Sequence, residues 1–381
     1  MNIGILTEIS PEQRVALLPE AVKLLTENSN QIFVEKGAGL HAFASDEDYE
    51  AAGAKVVSRD ELLKQTVLLL AINPPAAEDI KKLKPGHVVV NTMQPLTNTT
   101  MVANFREAGL TCFSLDTIPR ISRAQAMDVL SSMATVAGYR AVLEAAMNLP
   151  VFFPMFMSAA GTIRPAKLLI LGAGVAGLQA VATARKLGAV VEVFDVRAAV
   201  KEEVKSLGAK FVEVEGAVDD ATAGGYAVEQ TEEFKARQTQ LIQDHAKKSD
   251  VIICTAQIPG RKAPILIKKE TVEQMKPGSI IIDLAASSGG NCELTQDNKT
   301  VVEHGVKIIG NSNYASSMPI DASRMYGKNL VNFLALIIDK EGNLNLNFED
   351  EVVQGACITH NHQIINQRVK SIIEPQKESK L

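Results

Sequence analysis

The chain is short of most features that would take it out of the cell, into a bilayer or onto nucleic acid. Its four cysteines, Cys112, Cys254, Cys292 and Cys357, stand far apart with no C-x-x-C pair. They read as reduced, buried thiols and exclude a disulfide framework or a zinc ribbon. No Lys/Arg block stands out, and a formal net charge of −5 offers nucleic acid no basic footprint. Apolar runs are too short to span a membrane: the one over 151–161 is interrupted by Pro154, and 330–338 is half a bilayer long. The start, Met1-Asn2-Ile3-Gly4-Ile5-Leu6, runs straight into a strand without a signal-peptide layout, so a cytoplasmic chain is expected. Six histidines include one close pair, His360 and His362, with no cysteine or carboxylate at ligand spacing, so no metal site is expected.

What is present is a folded α/β pattern. A length of 381 residues with 46% hydrophobic content suggests two domains, each with its own core. Apolar runs at 3–6, 32–35, 67–72, 88–91 and 111–114 read as strands, alternating with helical patterns at 19–27, 77–83 and 97–108. The rhythm recurs at 210–214, 251–255, 279–284 and 306–310. The expected architecture is two doubly wound, Rossmann-like parallel-sheet domains joined by long helices over about 122–147 and 322–338, with a cofactor cleft between them. The first domain takes 1–137 plus 314–381, its asparagine-rich C-terminal stretch folding back before it frays; the second takes 138–313.

The second domain carries the strongest motif. Leu168-Leu169-Ile170-Leu171 is an apolar strand, and Gly172-Ala173-Gly174-Val175-Ala176-Gly177 is a G-x-G-x-x-G turn opening a helix over 178–187. The first glycine allows the tight turn, the second lets a pyrophosphate approach the backbone, and the third lets helix and strand pack closely. Phosphates would then meet free N–H groups and the positive end of the helix dipole. A second strand over 190–194 ends in Asp195, at the offset where an acid takes the adenosine ribose. That carboxylate favours NAD over NADP by repelling a 2′-phosphate, a preference tempered by Arg197 two residues on. Candidate cofactor-binding residues are therefore Gly172, Gly174, Val175, Ala176 and Gly177 in the turn, Asp195, Val196 and Arg197 beyond the next strand, and Ala256 and Gln257 beyond a later one.

Two further segments leave alternatives open. The stretch 216–240 is longer than a nucleotide-binding unit needs; Gly224-Gly225 could hinge it and Tyr226 could cover a ligand, or it is a solvated loop and an exposed helix. The segment Arg120-Ile121-Ser122-Arg123-Ala124-Gln125-Ala126-Met127-Asp128, followed by Ser131 and Ser132, is strongly polar for a helix packed between domains. Ser122-x-x-Gln125 also fits a capping box, and Asp128 could pair with Arg120 or Arg123.

Arg120 to Ser131, GAGVAGLQA, FDVR, GGYA and DLAASSGGN together resemble the NAD(H)-binding alpha subunits of proton-translocating NAD(P) transhydrogenases, a branch of the alanine dehydrogenase/transhydrogenase superfamily. Arg14-Val15-Ala16-Leu17 and Glu35-Lys36-Gly37-Ala38-Gly39 are similar to the wider group. The resemblance implies that Arg120, Asp128 and Ser131 hold the nicotinamide carboxamide and ribose. It implies that Gln125 reaches towards a second nucleotide, that Tyr226 closes over NAD(H), and that Asp195 takes the adenosine ribose. Gln125, Asp128 and Arg120 are thus the candidate catalytic residues.

An absence fits that branch. Hydride passing directly from NADH to NADP⁺ needs no general acid, base or nucleophile, only two rings held at roughly 3–3.5 Å without water. An alanine dehydrogenase needs a histidine acid/base and a lysine gripping the substrate. The matching stretches here read Ala71-Ile72-Asn73-Pro74-Pro75 and Asn91-Thr92-Met93-Gln94-Pro95, and the acid expected later is replaced within Ala286-Ser287-Ser288. Some relatives continue into membrane spans where this chain stops, so the split form is expected. NAD(H) would bind here and NADP(H) on a partner. The partners would be an NADP(H)-binding beta subunit and a membrane-spanning subunit, the chain would dimerise with itself, and it would sit peripherally on the cytoplasmic face. The alternatives are a stand-alone alanine-dehydrogenase-like enzyme and an NAD-sensing module without hydride transfer.

Overall fold

The computed structural model describes residues 1–28, 30–213, 231–258 and 260–374. The chain packs as two compact units, Met1–Met133 with Ala315–Leu381, and Ala134–Tyr314.

In the first unit, strands β1 (Asn2–Ile5), β2 (Gln31–Glu35), β3 (Lys55–Val57), β4 (Leu68–Leu70), β5 (Val88–Asn91) and β6 (Thr111–Ser114) pair in parallel with one another. Later strands β16 (Cys357–His360) and β17 (Gln363–Ile364) complete an eight-stranded sheet in the order β17-β16-β6-β5-β4-β1-β2-β3. The strand interiors are mostly apolar because both faces are covered, with polar residues such as Gln31, Glu35, Lys55 and Asn91 at the strand ends. Leu68 and Leu70 enter one core with Val88, Val90, Ile32 and Val34, while Leu69, Val89 and Phe33 enter the core on the other face. The helix Pro319–Ile337 lays Tyr326, Leu330, Phe333 and Leu334 into the first of these, with Phe333 edge-on to Phe113 at 5.3 Å.

The second unit opens with an antiparallel hairpin of β7 (Phe156–Ser158) and β8 (Gly161–Ile163). Its main sheet runs through β9 (Lys167–Leu171), β10 (Val190–Phe194), β11 (Lys210–Phe211), β12 (Val251–Cys254), β13 (Ile280–Asp283), β14 (Thr300–Glu303) and β15 (Val306–Ile309). The order over the described residues is β11-β10-β9-β12-β13-β15-β14. Leu168 and Ile170 face one core, Leu169 and Leu171 the other.

The parallel strands of each sheet reverse their direction of growth at β1/β4 in the first unit and at β9/β12 in the second. In such sheets ligands bind beyond the carboxyl ends of the strands at that switch. Both sheets are parallel-dominated, as expected, with antiparallel pairing added by β14 in the second and by β16 and β17 in the first. β14 with β15 and β16 with β17 are joined by hairpin-scale connections, which parallel pairing cannot use.

The joining helices also differ. Pro319–Ile337 falls close to expectation, but the helix expected from Ser122 begins at Val129 and runs to Asn148. Ser122–Met127 is a separate 3₁₀ turn. Of the stretch expected to be a strand over 210–214, Lys210–Phe211 forms one, Val212 and Glu213 do not, and residue 214 lies outside the described residues. None of the described helices is long and apolar enough to cross a membrane.

Candidate functional site

At the carboxyl end of β9 the three glycines have three different surroundings. Gly172 turns with a φ of +104°, and a Cβ there would lie 2.5 Å from Thr255 Oγ1. A Cβ on Gly177 would lie 1.9 Å from the Gly172 carbonyl oxygen, so turn and helix close only on a hydrogen. At Gly174 a Cβ would meet nothing within 4 Å. Gly174 is the N-cap of the helix Val175–Lys186, whose start has no side-chain cap and no acidic residue in its first turn. Val175 is exposed and Ala176 half-buried beside it. The opening turn therefore presents N–H groups towards open space over Gly174, the arrangement a pyrophosphate needs.

Asp195, just past β10, is turned onto this loop. Its Oδ2 accepts the Ala173 N–H at 2.7 Å and Arg197 Nη2 at 2.9 Å; its Oδ1 accepts the Arg197 N–H at 2.8 Å and Nε at 2.9 Å. Its side chain is 6% exposed against 28% for Arg197, and Val196 between them is half-buried. The acid expected to take the ribose thus stands beside the turn, but its charge is already balanced by the residue that tempered the NAD preference.

Beyond β12, the Thr255 N–H donates to Leu171 O at 2.8 Å and its hydroxyl to Gly172 O at 3.0 Å. Ala256 and Gln257 follow on the same carboxyl edge, and Gln257 Nε2 donates to Leu284 O at 2.7 Å. Of the proposed covering segment, Gly224, Gly225 and Tyr226 lie outside the described residues.

The polar cluster belongs to the first unit. Arg120 is exposed in the turn before the 3₁₀ segment, whose Ala124 and Met127 are anchored in the core. Gln125 is exposed. Asp128 breaks the turn with ψ +89° and starts the helix: its Oδ1 accepts the Ser131 N–H at 2.9 Å and its Oδ2 the Ser131 hydroxyl at 2.6 Å. The capping role expected of Ser122 is therefore Asp128's, and no side-chain cap is made at the 3₁₀ start. Arg123 pairs with Asp350, not Asp128, at 2.7 and 2.8 Å.

Sequence reasoning missed the residues that hold this turn. Asn329 Nδ2 and Asn332 Nδ2 both donate to the Ala126 carbonyl, at 2.8 and 3.0 Å, and the Ser132 hydroxyl donates to Asn329 Oδ1 at 2.7 Å. A helical asparagine pair three residues apart is the signal that was available, since it points two amides along one face.

The β1/β4 switch of the first unit is filled by its own side chains. Glu8 accepts the Ile72 N–H at 2.5 Å, the Asn73 N–H at 3.1 Å and Asn73 Nδ2 at 3.1 Å, and burial pushes its carboxyl up. Glu12 holds Arg14 through Nε at 2.7 Å and Nη2 at 2.6 Å, both side chains about a tenth exposed. Burial raises the Glu12 carboxyl, but bonding and charge from Arg14 outweigh it and bring it down to about 2. A void of about 10 Å³ is left beside Glu8 and Asn73.

Family models described as "Alanine dehydrogenase/PNT, N-terminal domain" and "Alanine dehydrogenase/PNT, C-terminal domain" match residues 4–137 and 141–367. A protein of Rhodospirillum rubrum, named as the first part of NAD(P) transhydrogenase subunit alpha, is 45% identical, covering 96% of this chain and 98% of its own. The crystal structure of a transhydrogenase from Sinorhizobium meliloti superposes with a TM-score of 0.88 at 43% identity, over 96% of this chain and all of that one. The alanine dehydrogenase of Bacillus subtilis is 28% identical over 84% of this chain and 81% of its own.

Proposed function

We propose, from the premise that this chain belongs to the alanine dehydrogenase/PNT family, that it is the NAD(H)-binding alpha subunit of a proton-translocating NAD(P) transhydrogenase. The observation that carries the reading is a contrast. The second unit has a dinucleotide turn open over Gly174, with Asp195 beside it. The switch of the first unit is closed by Glu8, Glu12–Arg14 and Asn73, where an amino-acid dehydrogenase needs an acid/base and a substrate cation.

Bound NADH supplies the hydride, which leaves its C4 with the bonding pair and forms the new bond at C4 of NADP⁺ on a partner subunit. No proton is exchanged at the reacting carbons, so the chain's residues act by binding and orienting. The glycine turn takes the pyrophosphate, and Asp195 the adenosine ribose. Arg120, Asp128 and Ser131 hold the carboxamide and ribose of the reacting half, and Gln125 addresses the second nucleotide. Tyr226 is assigned the cover. The dinucleotide domain is taken as 138–313 and the other as 1–137 with 314–381.

NADP(H) is assigned to the beta subunit and proton passage to a membrane-spanning subunit, on whose cytoplasmic side this chain would dock. A homodimer is favoured by the hairpin of β7 and β8. Phe152, Met155, Phe156, Met157 and Ile163 are 44–72% exposed there, with Phe152 stacked on Phe156 at 5.2 Å. Apolar surface so concentrated marks an interface.

The test is hydride transfer from NADH to an oxidised NAD analogue, using the purified chain with its NADP(H)-binding partner. Activity that requires both the partner and NADP(H) is expected, because the hydride must pass through the second nucleotide. Alanine oxidation by the chain alone, with no transfer in the mixed assay, would sink the proposal.

A further inference from the structure

Asp283, at the carboxyl end of β13, is wholly buried with no cation against it among the described residues. Four donors satisfy it: the Ala285 N–H, the Asn291 N–H at 2.7 Å, the Cys292 N–H at 3.0 Å and the Thr295 hydroxyl at 2.6 Å. The chain curls around this carboxyl through Gly290, where φ is +79° and a Cβ would lie 2.9 Å from Asp283 Oδ2. The curl delivers one side chain, Asn291, back across the sheet edge.

Asn291 is also wholly buried, and its amide is fully used on backbone. Oδ1 accepts the Ala256 N–H at 3.0 Å, while Nδ2 donates to Ala256 O and Pro264 O, both at 2.8 Å. An amide pairing with both backbone groups of one residue fixes that residue as a neighbouring strand would. Ala256 is thus clamped from one side by Asn291, and from the other by Thr255, whose hydroxyl reaches Gly172 O.

We propose that Asn291 is the positioning residue for the nicotinamide half of the bound dinucleotide. The inference rests on the dinucleotide reading above. Asp195 marks β10 as the adenosine side of the β9/β12 switch, so the other half of the cofactor extends over β12 and β13. Ala256 and Gln257 are the first residues beyond β12 on that side, and they have no secondary structure of their own to fix them. Asn291 acts through them. The contact it makes is to Ala256 alone of the two, so its influence is on backbone placement rather than on Gln257's side chain.

The experiment uses the full chain and two ligands, NADH and AMP, the second carrying only the adenosine half. Asn291→Ala is expected to raise the Kd for NADH about tenfold and to leave that for AMP within twofold. Asn291→Asp adds a pH signature. Ionised, it aims charge at two carbonyls; protonated, it regains one donor, and burial raises its pKa towards neutrality. NADH affinity of this variant should improve severalfold from pH 8 to pH 6 while the wild type stays flat. Equal weakening of NADH and AMP, unchanged NADH affinity, or failure of both variants to fold would overturn the inference, since Asn291 would then be a general structural residue or none. If the wild type itself binds neither ligand, the dinucleotide reading fails first and takes this one with it.

Discussion

Asp195 grips Arg197 with both carboxylate oxygens while the same Oδ2 takes the Ala173 N–H of the glycine turn. The acid proposed to select the ribose is thereby tied to the loop proposed to hold the pyrophosphate, and its counter-ion comes from two residues further along the same segment. A ribose diol must share this carboxylate with a guanidinium that is itself partly exposed.

Neutralising the acid should therefore weaken one cofactor and relieve the exclusion of the other. Asp195→Asn keeps an acceptor for Ala173 but loses the charge. A hydrogen bond to a charged group contributes about 1.5–3 kcal/mol, so the Kd for NADH should rise roughly tenfold to a hundredfold. NADPH should bind more tightly than to the wild type, because the carboxylate that repels a 2′-phosphate is gone while the Arg197 charge stays beside the site. Fluorescence titration of both nucleotides decides it, and an unchanged preference would remove Asp195 from specificity.

The glycine turn separates folding from binding. With an ordinary φ of −75° and empty space ahead of it, Gly174→Ala should leave stability within about 0.5 kcal/mol. Its methyl group would stand where the pyrophosphate belongs, so NADH affinity should fall at least about tenfold. Gly177→Ala drives a methyl into the Gly172 carbonyl and should cost about 1–3 kcal/mol of stability. Urea unfolding beside NADH titration reads both; tight NADH binding by Gly174→Ala would refute the placement of the phosphates.

Gln125 is exposed at the tip of the 3₁₀ turn, so Gln125→Asn should leave folding and NADH affinity nearly intact. Hydride transfer in the mixed assay should drop by about a hundredfold, as misplacement of about 1 Å does elsewhere. Full transfer in this variant would strip Gln125 of its role.

Acid should act on the Glu12–Arg14 pair in a defined window. The folded carboxyl lies at about 2 against an ordinary 4.5, so its stabilisation is complete above pH 4.5 and is lost as pH falls towards 2. Glu12→Gln should destabilise the protein by about 3 kcal/mol at pH 7, because a largely buried guanidinium loses its partner. The difference between variant and wild-type urea midpoints should shrink below pH 4.5. A gap that stays constant down to pH 3 would contradict the pairing.

Strand positions were legible because buried parallel strands are apolar on both faces: Val88–Asn91, Thr111–Ser114 and Val190–Phe194 fall where the runs predict. The glycine turn was legible because Gly172 and Gly177 each answer a separate steric demand of the fold, with Gly174 open to space between them. The start of the long helix was not. Ser122-x-x-Gln125 and Asp128-x-x-Ser131 both carry capping chemistry, and the choice is made by Asn329 and Asn332, some two hundred residues away. The hairpin of β7 and β8 was missed for another reason: its residues are exposed throughout, so no buried face imprints a period of two. The role proposed for Asn291 has no sequence signal because its side-chain partners are backbone atoms, which carry no signature in sequence.

The C-terminal return has a temporal meaning. Residues after Tyr314 supply Tyr326, Leu330 and Phe333 to the first core, and the edge strands β16 and β17 to its sheet. On the ribosome, strands β1 to β6 emerge long before these partners exist, whereas Ala134–Tyr314 is contiguous and complete when its last residue appears. The dinucleotide unit is therefore able to close its core first, while the older half of the chain waits with an unfinished sheet edge and an uncovered apolar face. Chaperone demand during synthesis should fall on the first 133 residues.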